Sequence, residues 1–322
     1  MKLLITGGAG FLGARLARTL LSRGTLNGRT IARIVLADLF PPPPDLAADP
    51  RVQACTGALL DQCVALAADR PDGVFHLASA VSAECEADFE LGLRSNLDTT
   101  RALLDALRAA GHAPRLVFAS SVAVFGSDPA LPLPAVVHDD TLPTPQSSYG
   151  IHKFVCEQLV ADYTRKGFID GRSARLMTVS VRPGRPNGAA SSFLSGIVRE
   201  PLAGLEAVCP VDPQTPVALS SPATTIEGLI AVFEADRDAY GGRTAVNLPA
   251  LTVRVQDMLD ALAEVAGPQA AQHVRFEHDP AIARMVGGWP SRFESARAAR
   301  LGLRPDPDFR SIVRQYLQEQ PR

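Results

Sequence analysis

The segment that most constrains this chain lies at its start. Lys2 to Thr6 is a short apolar run that reads as a buried strand, and it runs directly into Gly7-Gly8-Ala9-Gly10-Phe11-Leu12-Gly13. Ala14 to Arg23 then places Leu16, Leu20 and Leu21 at helical spacing. The glycines satisfy GxGxxG through Gly8, Gly10 and Gly13, and GxxGxxG through Gly7, Gly10 and Gly13. Such a turn needs backbone angles that side chains forbid, close approach to a pyrophosphate, and tight packing of helix on strand. The helix N-terminus then offers free N–H groups and the positive end of its dipole. A second strand, Arg33 to Ala37, ends at Asp38. A carboxylate there can accept both adenosine ribose hydroxyls and repels a 2′-phosphate. The residues that follow, Leu39, Phe40 and the prolines at 41 to 44, include no arginine. The expected cofactor is therefore NAD, not NADP.

Gly73 to Leu77 and Leu116 to Ala119 read as further strands, with a long helical stretch from Glu84 to Ala110 between them. Ser147 to Lys166 reads as helix and Met177 to Val181 as another β-rich run. This alternation predicts an α/β fold, a Rossmann-type doubly wound parallel sheet with helices on both faces. After Arg182 prolines become frequent (Pro183, Pro186, Pro201, Pro210), and a smaller, irregular lobe is expected. The expected division is a NAD-binding domain over 1–182 and a mainly substrate-binding lobe over 183–322. Segments such as Thr244 to Leu248 are expected to return to the sheet. The length of 322 residues suits two such parts.

A net charge of −2 with no basic stripe argues against nucleic acid as a partner. No run of eighteen apolar residues and no signal-peptide segment is present, so no membrane association is expected and the cytoplasm is the expected location. Cys55, Cys63, Cys85, Cys156 and Cys209 are odd in number and lack CxxC spacing. Reduced, mostly buried thiols are expected, with no metal site.

Tyr149 and Lys153 are four apart on a predicted helix and so share a face. A phenol with a pKa near 10 is a poor base at neutral pH, and a neighbouring ammonium lowers that value. Such a pair can take the proton of an alcohol while hydride leaves the same carbon. Ser121 stands where the strand within Phe118 to Gly126 ends, the end at which α/β sheets place ligands. Its hydroxyl can hold the substrate oxygen, whereas Ser120 reads better as a cap. Arg185 and Arg199 are candidates for binding a substrate carboxylate, and either can equally be an ordinary surface arginine. His76 reads as a hydrogen-bonding residue, not a catalyst, and Trp289 as a packing residue. His273 and His278 are five apart, a poor metal pair.

The glycine loop, Asp38, His76-Leu77-Ala78-Ser79, Asn96, Phe118 to Gly126, Tyr149 to Lys153 and Val181-Arg182-Pro183-Gly184 together resemble the extended short-chain dehydrogenases of the NAD-dependent epimerase/dehydratase type. The resemblance covers almost the whole chain. Within that family, Ser147 to Glu157, Gly167 to Arg172, Ser180 to Asn187 and Ser191 to Leu194 are most similar to the branch that acts on D-erythronate. The resemblance implies NAD-dependent oxidation of the C2 hydroxyl of a small sugar acid, D-erythronate to 2-dehydro-D-erythronate, with Tyr149 as base. It implies that Ser121 and Tyr149 hold the substrate hydroxyl and that Lys153 also binds the nicotinamide ribose. Further cofactor contacts are implied at Gly7, Gly10, Phe11, Leu12, Gly13, Leu60, Ser79, Asn96 and Pro183. A homodimer through the helices around 90–110 and 147–166 is implied too. The alternative is a nucleotide-sugar 4-epimerase or dehydratase with tightly bound NAD. The chain departs from those enzymes after Arg182-Pro183, where it reads Gly-Arg-Pro-Asn-Gly without their aromatic and Gly-Pro pattern.

Overall fold

Seven strands form the sheet that carries the glycine loop: β1 (Lys2–Thr6), β2 (Arg33–Asp38), β3 (Val52–Thr56), β4 (Gly73–His76), β5 (Arg115–Ser121), β6 (Asp170–Leu176) and β7 (Val246–Asn247). Their order is β7-β6-β5-β4-β1-β2-β3. The pairings of β1 with β2 and β4, of β2 with β3, and of β4 with β5 are parallel. Chain direction across the sheet reverses between β1 and β4, and it is outside the carboxyl ends of strands at such a switch that open α/β sheets bind ligands. The computed structural model describes residues 1–184 and 190–319.

Both faces of the sheet are covered, which is why its strands read as unbroken apolar runs. Leu4, Val35, Val74, Leu116 and Phe118 share one core with the helices α1 (Leu59–Ala68), α2 (Thr99–Ala110) and α3 (Ser148–Arg165). On the other side Phe75 stacks on Phe233 with ring centroids 5.0 Å apart.

The expected strand over Met177–Val181 is displaced. The sheet strand is β6, and Thr178–Val179 instead pairs with Pro216–Ser220 in a separate three-stranded sheet. Two arginines hide β6 in the sequence, because both are buried with partners. Arg172 is fully buried and its Nη1 donates to the carbonyls of Val232, Phe233 and Ala235 at 2.8, 2.7 and 2.6 Å. These lie at the end of the helix Pro222–Glu234, where a cation meets unpaired carbonyls and the negative end of the dipole. Arg175 pairs with Glu157. The edge strand β3 also escaped the sequence reading, since it is largely exposed and lacks an apolar pattern.

The long helix expected from Glu84 to Ala110 is interrupted. Helices Ser82–Ala87 and Phe89–Gly92 meet at Asp88, which is extended and accepts from Leu91 N at 2.9 Å. A π-helical segment, Leu93–Asp98, precedes α2. Val246–Asn247 joins the sheet edge, within the stretch expected to return.

By contacts the chain divides into two units. The first comprises Met1–Ser121, Ser147–Arg175 and Ile226–Val246; the second comprises Val122–Gln146, Leu176–Thr225 and Asn247–Arg322. The second unit has its own core, with Leu194, Ile197, Leu219, Val253, Met258, Leu262, Phe309 and Ile312 among its buried residues. It is more regular than the prolines suggested: Pro216–Ser220 pairs antiparallel with Leu251–Arg254, and Ala207–Cys209 pairs parallel with Val274–Phe276. Among the described residues no helix is long and apolar enough to cross a membrane.

Candidate active site

The glycine loop leaves β1 and enters the helix Phe11–Arg23, whose N-cap Gly10 carries no side-chain cap. The first N–H groups of a helix have no partner within it. Gly7 sits at φ 70, in the left-handed region, and a Cβ there would lie 2.8 Å from Ala78 N. A Cβ on Gly13 would lie 2.0 Å from Gly7 O, so any side chain would push the helix off the turn. Asp38 ties the loop to β2: its Oδ2 accepts from Ala9 N at 3.0 Å and Gly10 N at 3.2 Å. Oδ1 accepts from Phe40 N at 3.2 Å. A carboxylate has about four acceptor sites, so with three taken, capacity remains at Oδ1 for a ribose hydroxyl. This cradle, a glycine turn entering a helix N-terminus beside an anchored carboxylate, fits NAD. Phe11 and Leu12 begin the helix, and Leu60 lies half-buried in the first turn of α1 after β3.

The ends of β1 and β4 are locked by a chain of hydrogen bonds. Thr100 Oγ1 donates to Asn96 O at 2.6 Å, so it accepts from His76 Nε2 at 2.9 Å. His76 Nδ1 is then the acceptor for Thr6 Oγ1 at 2.6 Å, and Thr6 Oγ1 accepts from Ala78 N at 3.3 Å. The neutral ring satisfies every link. Burial, then the charge of Lys153, pushes the His76 pKa down to about 3. His76 is thus a structural pin, and charging it opposes the native fold. Below the unfolded value of 6.5 the unfolded chain binds a proton that the native chain refuses. Stability should therefore fall as pH drops below 6.5, by about 3 kcal/mol at pH 4 from this group alone. Urea unfolding of the unmutated chain and His76→Gln between pH 7 and pH 4 checks this: the variant should show the shallower loss, and parallel curves would reject the assignment.

Asn96, in the π-helical segment, is buried and points its amide at the loop after β4. Its Oδ1 accepts from Ser79 Oγ at 3.0 Å and Ala80 N at 2.7 Å, and its Nδ2 donates to Ala80 O at 3.3 Å. The structure thus brings Ser79 and Asn96 together.

Ser147 caps α3, accepting from Gly150 N at 3.1 Å. Tyr149, in the first turn, is half-buried. Lys153, one turn on, is 3% exposed and donates from Nζ to Ala119 O at 2.9 Å. That ammonium lies 5.6 Å from the Tyr149 ring centre and 4.9 Å from that of Phe118. Burial pushes its pKa down to about 8. Half-buried Ser121 ends β5, two residues past Ala119. Strand alternation turns the adjacent Ser120 to the opposite face, where it is buried and donates to Glu157 Oε1 at 2.5 Å. Glu157 also accepts from Arg175, at Oε1 from Nε (2.9 Å) and at Oε2 from Nη2 (2.7 Å). Sequence reasoning named Tyr149, Lys153 and Ser121, and did not name Thr6, Thr100, Glu157 and Arg175, whose side chains support these elements. A glutamate one helical turn beyond the lysine was the one available signal.

In the second unit, Pro183 is exposed. Arg185 lies outside the described residues. Arg199 is buried and engaged: Nη1 donates to Arg182 O at 2.9 Å and Nη2 to Glu200 Oε1 at 2.5 Å. Trp289 packs against the core of that unit, and His273 and His278 are exposed. Cys63, Cys85, Cys156 and Cys209 are buried and Cys55 half-buried.

The family model described as the NAD dependent epimerase/dehydratase family matches residues 3–215. A D-erythronate dehydrogenase of Cupriavidus necator is 49% identical over 99% of this chain and 98% of that protein. A D-erythronate dehydrogenase of Haemophilus influenzae is 40% identical over 99% of each chain. The crystal structure of a nucleoside-diphosphate-sugar epimerase from Agrobacterium tumefaciens superposes with TM-score 0.93 at 40% identity, covering 99% of this chain and 94% of that one.

Proposed function

This chain belongs to the NAD-dependent epimerase/dehydratase family, with NAD as its cofactor, and on that premise we propose that it is a D-erythronate dehydrogenase. The reaction is oxidation of the C2 hydroxyl of D-erythronate to 2-dehydro-D-erythronate. The observation that carries this reading is the buried ammonium of Lys153 one helical turn from Tyr149, beside the strand that ends in Ser121. Full-length identity to two relatives of that activity supports the substrate.

Gly7, Gly10, Phe11, Leu12 and Gly13 hold the pyrophosphate side of NAD, and Asp38 and Leu60 the adenosine side. Ser79, Asn96, Tyr149, Lys153 and Pro183 serve the nicotinamide side. When bound, NAD supplies the acceptor for the hydride that leaves C2. Tyr149 takes the hydroxyl proton, Ser121 donates to the same oxygen, and Lys153 stabilises the phenolate that begins the cycle. Arg185 holds the substrate carboxylate in this reading, since the guanidinium of Arg199 is already engaged. A homodimer would cover the apolar side chains of Ile151 and Val155, exposed on α3.

The test is NADH release from NAD with four- to six-carbon sugar acids and with UDP-sugars. D-erythronate should give the fastest release, and UDP-sugars none. The name of the Agrobacterium relative favours a second reading, a nucleotide-sugar epimerase that retains NAD. Tight UDP binding by calorimetry without NADH release would establish that one instead.

Cofactor choice follows from Asp38. Turnover with NAD should far exceed turnover with NADP. Asp38→Ala should cost about 10- to 100-fold in kcat/KM for NAD, the scale of one or two hydrogen bonds to a charged group. Comparable use of both cofactors by the unmutated enzyme would defeat the role given to Asp38.

A further inference from the structure

The geometry points to Glu157 as a positioning residue for the proton transfer. Clamped by Arg175 and Ser120, it fixes α3 to β5 and β6 and supplies the buried counter-charge to Lys153. This deepens the dehydrogenase reading and rests on it.

The clamp joins three elements. Glu157 lies on α3 one turn past Lys153, Ser120 on β5 next to Ser121, and Arg175 on β6. All three are buried, and the carboxylate accepts three hydrogen bonds, two of them from one guanidinium. Bidentate pairs of this kind hold geometry as well as charge. The helix bearing Tyr149 and Lys153 therefore keeps its register against the strand bearing Ala119 and Ser121.

The charge argument is separate. The groups that face Lys153 are Tyr149, Cys156 and Glu157 on its own helix, Cys85 on the helix Ser82–Ala87, and His76 at the end of β4. Burial pushes both thiols up, so at neutral pH neither is an anion. Burial keeps His76 neutral. Glu157, its charge partly offset by the paired Arg175 on β6, is left as the carboxylate opposing the burial that drives the Lys153 proton off. Without it, Lys153 should lose its proton at lower pH, and the phenolate of Tyr149 would lose its support.

The chain contains three lysines, Lys2, Lys153 and Lys166, so lysine-labelled protein gives few NMR signals and Lys153→Met assigns the one of interest. The Lys153 titration and the pH dependence of kcat/KM for D-erythronate are measured in Glu157→Gln, Glu157→Asp, and Glu157→Gln combined with Arg175→Gln. The combined variant leaves no unpaired buried charge and guards against loss of fold. Expected are a Lys153 titration and an alkaline limb about one pH unit lower in Glu157→Gln, a smaller shift in the combined variant because the Arg175 charge leaves with that of Glu157, and Glu157→Asp restoring both positions. An unmoved Lys153 titration in folded Glu157→Gln, or pH profiles of that variant and the unmutated enzyme that superimpose, overturns the proposal. If no variant, nor the unmutated enzyme, turns over D-erythronate, the dehydrogenase reading fails, while the lysine titration still decides whether Glu157 acts on Lys153.

Discussion

Tyr149→Phe should lower kcat for D-erythronate by ~10²- to 10⁴-fold, the usual cost of removing a positioned acid–base group. The substitution deletes one oxygen from a half-buried side chain, so the fold and the glycine cradle remain. NAD affinity, followed by quenching or calorimetry on the same sample, should change little. Lys153 keeps its contact with Ala119 O and its place over Phe118, both independent of the phenol oxygen. In the unmutated enzyme activity should rise with pH as the Tyr149–Lys153 pair loses a proton, and the apparent value belongs to the pair because the two groups are coupled. The variant should lose that rise along with its rate. If NAD still binds and kcat stays within a factor of about three, less than ~1 kcal/mol of barrier, Tyr149 is not the base.

What could be read in the sequence was what is encoded locally. The glycine loop and Asp38 come together because β1 and β2 are neighbours, and the loop N–H groups meet the carboxylate directly. Tyr149 and Lys153 share a face by helix periodicity alone. The supporting networks are built differently. Thr6 meets His76 across seventy positions and Ser120 meets Glu157 across thirty-seven. No short pattern announces such pairs, and polar residues in a strand argue against burial until the partner is known. That is how Arg172 and Arg175 concealed β6: each is buried because its charge is met by carbonyls or a carboxylate from a distant segment. The break in the helix before α2 escaped for a related reason, since Asp88 and Asn96 serve the backbone with side chains that fit a helix surface equally well in sequence. The return of residues 226–246 to the first unit is likewise a tertiary event, in which the buried cation Arg172 receives a helix end.

Lys153→Met should have the largest catalytic effect and the opposite effect on stability. In the proposed site its loss removes both the charge that makes Tyr149 a usable base and a cofactor contact. A base effect of ~10²- to 10⁴-fold and a lost charged hydrogen bond worth ~1.5–3 kcal/mol together give about 10³- to 10⁵-fold or more in kcat/KM. Stability runs the other way because the ammonium is buried. Its folded value of about 8 lies below the ordinary 10.5, so below pH 8 the native state carries a charge it would rather shed. That costs about 3 kcal/mol. Methionine fills similar volume without the charge. The contact to Ala119 O is lost, which returns ~1.5–3 kcal/mol, and the net gain at pH 7 should be about 1 kcal/mol. The pH dependence fixes the cause. Between pH 8 and 10.5 the unfolded unmutated chain binds the proton that the folded chain has released, so the unmutated enzyme gains stability with rising pH and the advantage of the variant shrinks. Urea unfolding of both proteins at pH 7 and pH 10 measures this. A variant less stable at pH 7, or an advantage that does not shrink by pH 10, would mean that the buried amine is not strained in the native state and that Lys153 is held there by more than catalysis.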